Sequence, residues 1–205
     1  MNIIGYIHIC QKGNWKEVLN MILNALKKSD LYLHTKTIRL GILSENSFEE
    51  LTDPKFEIIY KGRCHEFERP TLLDMQKQSQ SDPDNTVYYY LHTKGITHFG
   101  KPNEECIVDW VKLMLHFNVE KWATAIEKLK IHDTYGCNYN GINYSGNFWW
   151  ANVKHIRQLP NFINSGYQDP EDWVCSLKKN YYSAFNSGFE RNGHYFNKFP
   201  EKYYK

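Results

Sequence analysis

The sequence predicts an α/β fold, a single domain over residues 1–205 with a mostly parallel central sheet flanked by helices. Three observations carry this. Apolar runs of strand length alternate with segments of helical spacing, and the order strand, helix, strand favours a parallel βαβ start. The length of 205 residues suits one domain. Residues 86–95 (TVYYYLHTKG) read as a buried strand of Val and Tyr that runs unbroken into a polar loop.

Residues 3–10 (IIGYIHIC) are the first strand, broken by Gln11, Lys12, Gly13 and Asn14. Asn14 is placed to cap the next helix. Trp15, Val18, Leu19, Met21, Ile22, Ala25 and Leu26 recur at spacings of three and four, which predicts an amphipathic helix to about Lys28. Residues 37–43 (TIRLGIL) and 56–60 (FEIIY) read as the second and third strands. Pro70 suits a helix start, continued by Thr71, Leu72, Leu73, Met75 and Gln76. The loop 79–85 (SQSDPDN) ends it and the central strand follows. Residues 106–130 keep helical spacing from Ile107 to Leu129, with a break expected at Asn118. Residues 135–139 predict a strand, and 141–151 (GINYSGNFWWA) have strand character at their end. Short helices are expected over 153–159, stopped by Pro160, and over 171–177. From Asn180 the chain reads as irregular, and residues 179–205 are expected to pack on the domain as an aromatic-rich tail.

The totals exclude several classes. Twenty-five basic against 23 acidic residues leave a formal net charge of +2, which gives no footprint for duplex nucleic acid. Cys10, Cys64, Cys106, Cys137 and Cys175 are scattered, with no C-x-x-C pair; this argues against a disulfide framework and a structural zinc site, and for a reducing compartment. No run approaches the ~18 apolar residues of a membrane span. The N-terminus lacks the pattern of a signal peptide. The expectation is a soluble, cytoplasmic protein with no transmembrane segment. Aromatics at 16% suit ring-shaped ligands such as sugars and bases, and equally a Tyr-rich core.

Four constellations carry candidate chemistry. His92, Thr93 and Lys94 put an imidazole, a hydroxyl and an ammonium at a strand end, and Gly95 lets the backbone turn; such a loop suits oxyanions, or is an ordinary polar turn. Ser145, Gly146 and Asn147, followed by Trp149 and Trp150, combine hydrogen-bonding groups with flat apolar faces, the mixture a sugar needs. Alternation along a strand sends one of the two Trp to the other face, into the core. Glu171 and Asp172 offer a carboxylate general base, or are the acidic first turn of a helix. Asp82 and Asp84 match a D-x-D pattern for a divalent cation such as Mn or Mg, but they precede the central strand, on the wrong sheet edge, and read as a turn.

With YYYLHTKG, NYSGNFWWA and PEDW in view, the chain resembles small GT-A-type glycosyltransferases, in particular rhamnan-synthesis-type and chlorella-virus capsid sugar transferase domains. The resemblance implies a nucleotide-diphosphate sugar donor bound across the carboxyl ends of the first strands, and a glycan or glycoprotein acceptor. It implies donor contacts from His8, His92, Thr93, Lys94, Gly95 and Arg69, and sugar or acceptor contacts from residues 145–150. Glu171 or Asp172 would be the base of an inverting reaction, with retention left open. His92, Thr93 and Lys94 stand where other members carry D-x-D, so Lys94 would replace the metal at the leaving group and no cofactor would be required. The alternatives are a non-catalytic carbohydrate-binding module and a sugar nucleotidyltransferase. The first leaves the Lys loop unexplained, and the second wants a Gly-rich basic loop that residues 11–14 match poorly.

Overall fold

The apolar run at the start of the chain becomes the middle of the sheet. In the computed structural model, which describes residues 1–177, 179–190 and 192–205, strand β1 (Asn2–Cys10) is buried along nearly its whole length. It lies between β2 (Thr35–Leu43) and β4 (Thr86–His92), parallel to both. Strand β3 (Phe56–Gly62) adds in parallel outside β2. On the other side β6 (Trp149–Asn152) runs antiparallel to β4 and pairs antiparallel with β5 (Thr134–Gly136). A last strand, β7 (Tyr181–Ser183), runs parallel to β5. Among the described residues these form one seven-stranded sheet in the order β3-β2-β1-β4-β6-β5-β7, a mixed sheet with a parallel first half.

Alternation divides the core into two layers. Ile3, Ile7 and Ile9 of β1 join Val87, Tyr89 and Leu91 of β4 and Trp150 of β6 on one face. Helix α1 (Trp15–Lys28) covers that face with Val18, Leu19, Ile22 and Leu26, as its amphipathic spacing requires. A four-residue helix, α2 (Leu31–His34), leads from it into β2. Helices α4 (Glu104–Leu115) and α5 (Trp122–Lys128) complete the layer, joined by a π-helical turn at His116–Glu120. The break expected at Asn118 falls inside that turn, where the Asn118 side chain donates to the Met114 carbonyl. Ile4, Tyr6, Tyr88, Tyr90, Trp149 and Ala151 form the other face, under α3 (Arg69–Ser79) and α6 (Val153–Gln158).

Three expectations change. The tail is not wholly irregular, because β7 extends the sheet edge at β5. The helix expected over 171–177 is a short α7 (Asp169–Asp172) continued by a 3-10 turn at Trp173–Cys175. Both Trp149 and Trp150 are fully buried, so neither offers a face to a sugar. They sit on an interior strand whose two faces are both covered, one Trp in each layer.

Candidate functional site

Strands β1 and β4 lie side by side, but the chain leaves β1 for β2 on one flank and reaches β4 on the other. The crevice at the carboxyl ends of two such strands is where open α/β sheets bind ligands. Here His8 and His92 are directly paired across the two strands. Beyond them the loop crosses back, with the Thr93 amide donating to the His8 carbonyl at 3.0 Å and the Cys10 amide donating to Thr93 Oγ1 at 3.0 Å. Gly95 then turns with φ +73°, and a Cβ there would stand 2.3 Å from Ile107 Cγ2, so this turn needs glycine.

Two chambers open above this point. The first, about 250 Å³, is lined by His8, Cys10, Lys12, Leu43, Cys64, Phe67, Glu68, Tyr167, Glu171 and the loop 92–98. The second, about 290 Å³, is lined by Trp110, Asn143, Ser145, Gly146, Gln168 and Asn192. Lys94, His98, Tyr167, Glu171 and Tyr195 line both, so the chambers meet at these side chains.

Lys94 is buried and its ammonium lies 3.1 Å from Glu171 Oε1. The ammonium also sits over the Trp110 ring at 4.9 Å from the centroid. Burial works against its charge, but Glu171, Tyr195 and Glu68 outweigh it and hold the lysine above its ordinary value. His8 is the opposite case. Burial pushes it down to about 4, so it is neutral at pH 7, with Nδ1 hydrogen-bonded to Thr71 Oγ1 at 2.8 Å.

Glu68 ties the floor of the first chamber together. It accepts from Tyr90 Oη at 2.7 Å and from Asn147 Nδ2, and His92 Nδ1 stands 3.7 Å from its second oxygen. His92 Nε2 lies 2.9 Å from the Gly146 carbonyl oxygen, which links the Lys loop to the segment before β6. Asn147, itself at φ +58°, accepts from Trp149 Nε1 at 2.8 Å. Both ends of its amide are therefore engaged within the fold, and it supports the site without lining either chamber.

The structure thus brings His8, His92, Thr93, Lys94, Gly95, Ser145, Gly146 and Glu171 together around the two chambers. Asp172 points elsewhere. It accepts from Asn143 Nδ2 and lines a separate surface pocket with Pro160 and Trp173. Arg69 lies outside both chambers and donates to the carbonyls of Asn164 and Gly166, which pins the loop leading to Tyr167 and α7. Asp82 accepts from Tyr88 and Arg39, and Asp84 from Arg157, at the opposite end of β4 from Lys94. Among the described residues, no group of three or more His, Cys, Asp or Glu is arranged to hold a metal ion.

Sequence reasoning missed Glu68, His98, Trp110, Tyr167 and Tyr195. Glu68 stands two residues before the Pro70 helix start, and no local pattern joins it to His92 or Asn147. Trp110 fitted the helical core pattern, yet it lines the second chamber, and its buried indole N–H has no hydrogen-bond partner among the described residues. Tyr195 comes from the tail, which no local pattern connects to residue 94.

No protein-family model and no curated protein sequence matches the chain. The fold is similar to the crystal structure of a homologue of Mycobacterium tuberculosis Rv0371c from Mycobacterium sp. strain JC1. The TM-score is 0.51 at 10% sequence identity, and the match covers 89% of this chain and 85% of that one. At that identity the likeness shows a shared fold and carries no statement about substrate.

Proposed function

We propose that this chain is a GT-A-type glycosyltransferase that moves a sugar from a nucleotide-diphosphate donor to a hydroxyl of a glycan or glycoprotein. The observation that carries the reading is the Lys94–Glu171 pair, standing where two chambers meet above the switch point of the sheet. Each chamber alone is below the range of ~300–1,000 Å³ usual for ligand sites, while the two joined fall within it. The first supplies a cation, a hydroxyl and a turning backbone, which suits a diphosphate. The second is lined by Ser145, Gln168 and Asn192, whose hydroxyl and amide groups suit a hydroxyl-bearing ring.

The chemistry follows from that placement. In an inverting displacement the acceptor hydroxyl gives its proton to Glu171 as its oxygen bonds to the anomeric carbon. The bond from that carbon to the β-phosphate oxygen breaks, and the nucleoside diphosphate leaves with its new charge facing Lys94. A fixed ammonium in a wall shielded from water stabilises that charge more than solvent would. Glu171 is the base in this reading and Asp172 is not, because Glu171 alone of the two lines the chambers. Leaving-group stabilisation is assigned to Lys94 in this reading because its ammonium lines both chambers.

A thermal-shift panel of nucleotide-diphosphate sugars, each with and without manganese, tests the reading. A donor at 100 times its dissociation constant stabilises the native state by about 2.7 kcal/mol and raises the melting temperature. The expected result is a shift with at least one donor in the absence of manganese. Shifts with free glycans alone would leave a carbohydrate-binding module, and a manganese-only response would move the leaving-group role away from Lys94.

A further inference from the structure

Cys10 and Cys64 are 54 residues apart in sequence, but their sulfur atoms lie 3.3 Å apart. Cys10 is the last residue of β1. Cys64 opens a 3-10 turn at Cys64–Glu66, just past β3. That turn reaches back across the end of β2 to touch β1, although β3 lies two strands away. Both thiols are free, both are half-buried and both line the first chamber, so a small reagent that enters the chamber reaches them. The sulfurs are already in van der Waals contact, and a bond of about 2.05 Å between them needs the turn to move closer to β1.

We propose that Cys10 and Cys64 are a redox-modification site in the chamber wall, oxidised to a disulfide by a small disulfide of the glutathione class. Either cysteine, as thiolate, attacks one sulfur of oxidised glutathione. The glutathione S–S bond breaks, and the first glutathione leaves as thiolate and takes up the proton that the cysteine gave up. The second cysteine then attacks the cysteine sulfur of the mixed disulfide, and the second glutathione leaves with the second proton. Two cysteines are oxidised and one glutathione disulfide is reduced to two thiols.

The surroundings favour persistence of the bond once it has formed. Burial pushes the Cys64 thiol up to about 12, and it raises Cys10 as well. Thiols with high values are poor leaving groups, so a disulfide between them resists reduction, while the small thiolate fraction makes its formation slow. The bond would tether the turn that carries Phe67 and Glu68 into the chamber. Phe67 already holds φ +52°, a backbone state uncommon for a bulky residue.

The test is a long incubation of the full chain with oxidised glutathione, an acid quench, a thiol count under denaturing conditions and peptide mapping by mass spectrometry. The expected result is loss of two hydrogens from the intact mass, a fall from five titratable thiols to three, and a cross-link joining the peptides of Cys10 and Cys64. Cys64→Ser under the same treatment gives no cross-link. Because the count needs neither ligand nor turnover, its outcome is separate from that of the glycosyltransferase reading. Wild-type protein that keeps five thiols, gains glutathione without closing a cross-link, or pairs other cysteines overturns the proposal.

Discussion

Lys94 keeps its charge in a place that opposes charge. Only 7% of it is exposed, and the Glu171 carboxylate at 3.1 Å offsets what burial takes away. Lys94→Ala removes an ammonium at the junction of the chambers without touching the sheet. Turnover should fall about 100-fold or more, as when a single preorganised transition-state donor is lost. Steady-state rates check this, and a rate within a few-fold of wild type would take Lys94 out of the chemistry. The two neighbouring acids separate in the same assay. Glu171→Gln should lower kcat by roughly 10²–10⁴ with donor affinity largely kept, whereas Asp172→Asn should retain most of its turnover. A dead Asp172 variant beside an active Glu171 variant would reverse the assignment.

His8 yields a prediction about stability. Its folded value, about 4, lies below the ordinary 6.5 because burial disfavours the imidazolium. The unfolded chain therefore binds more protons between those two values, and stability falls as pH drops from 6.5 through 4. His194, also lowered to about 4 by burial, acts in the same direction. Each should remove about 2 kcal/mol by pH 5 relative to neutral pH. Urea unfolding at pH 7 and pH 5 measures the difference, and His8→Gln should make the loss visibly shallower. An unchanged slope in that variant would mean His8 is not buried as a neutral ring.

At the scale of elements, loops set the geometry that the sheet makes possible. Arg69, at the start of α3, donates to the Asn164 and Gly166 carbonyls and so fixes the segment that carries Tyr167 and Glu171 over the cleft. A basic residue beside a helix-starting proline looks like a phosphate ligand in sequence, and only its reach to residues 164–166 reveals a clamp. Hydrogen bonds from a charged donor contribute about 1.5–3 kcal/mol each. Arg69→Ala should therefore speed hydrogen exchange across residues 164–168 and raise KM, while β1 and β4 stay protected. If exchange in that loop is unaltered, the clamp has no energetic weight.

The whole molecule depends on its tail. Strand β7 extends the sheet at β5, His194 stacks on Trp110 at 5.3 Å between ring centroids, and Tyr195 lines both chambers. Phe185 stacks on Phe117 of the π-helical turn and contacts Tyr204. Deleting residues 181–205 would uncover this aromatic layer. A single buried aromatic truncated to Ala loses about 3–5 kcal/mol, so the deletion should cost at least that much in a urea titration. An unchanged midpoint would show the tail to be an appendage. Among the described residues, no helix is long and apolar enough to cross a membrane.

The parallel first half of the fold was legible because its signals are local. Period-two and period-3.6 spacing, the Pro70 start and the switch from Val and Tyr to His92, Thr93 and Lys94 are all read within a dozen residues. The position of the Lys loop at a strand end followed from the same pattern. What local pattern could not supply was partnership across long separations. Glu171 and not Asp172 faces Lys94, Asn147 is engaged with Glu68 and Trp149, and Cys10 meets Cys64, because loops and helix ends far apart in sequence fold over the same strand ends. Periodicity tells which side of an element a residue occupies. Which residue waits opposite is decided by strand order and by the loops that cross the strand ends, and only the tertiary structure contains those.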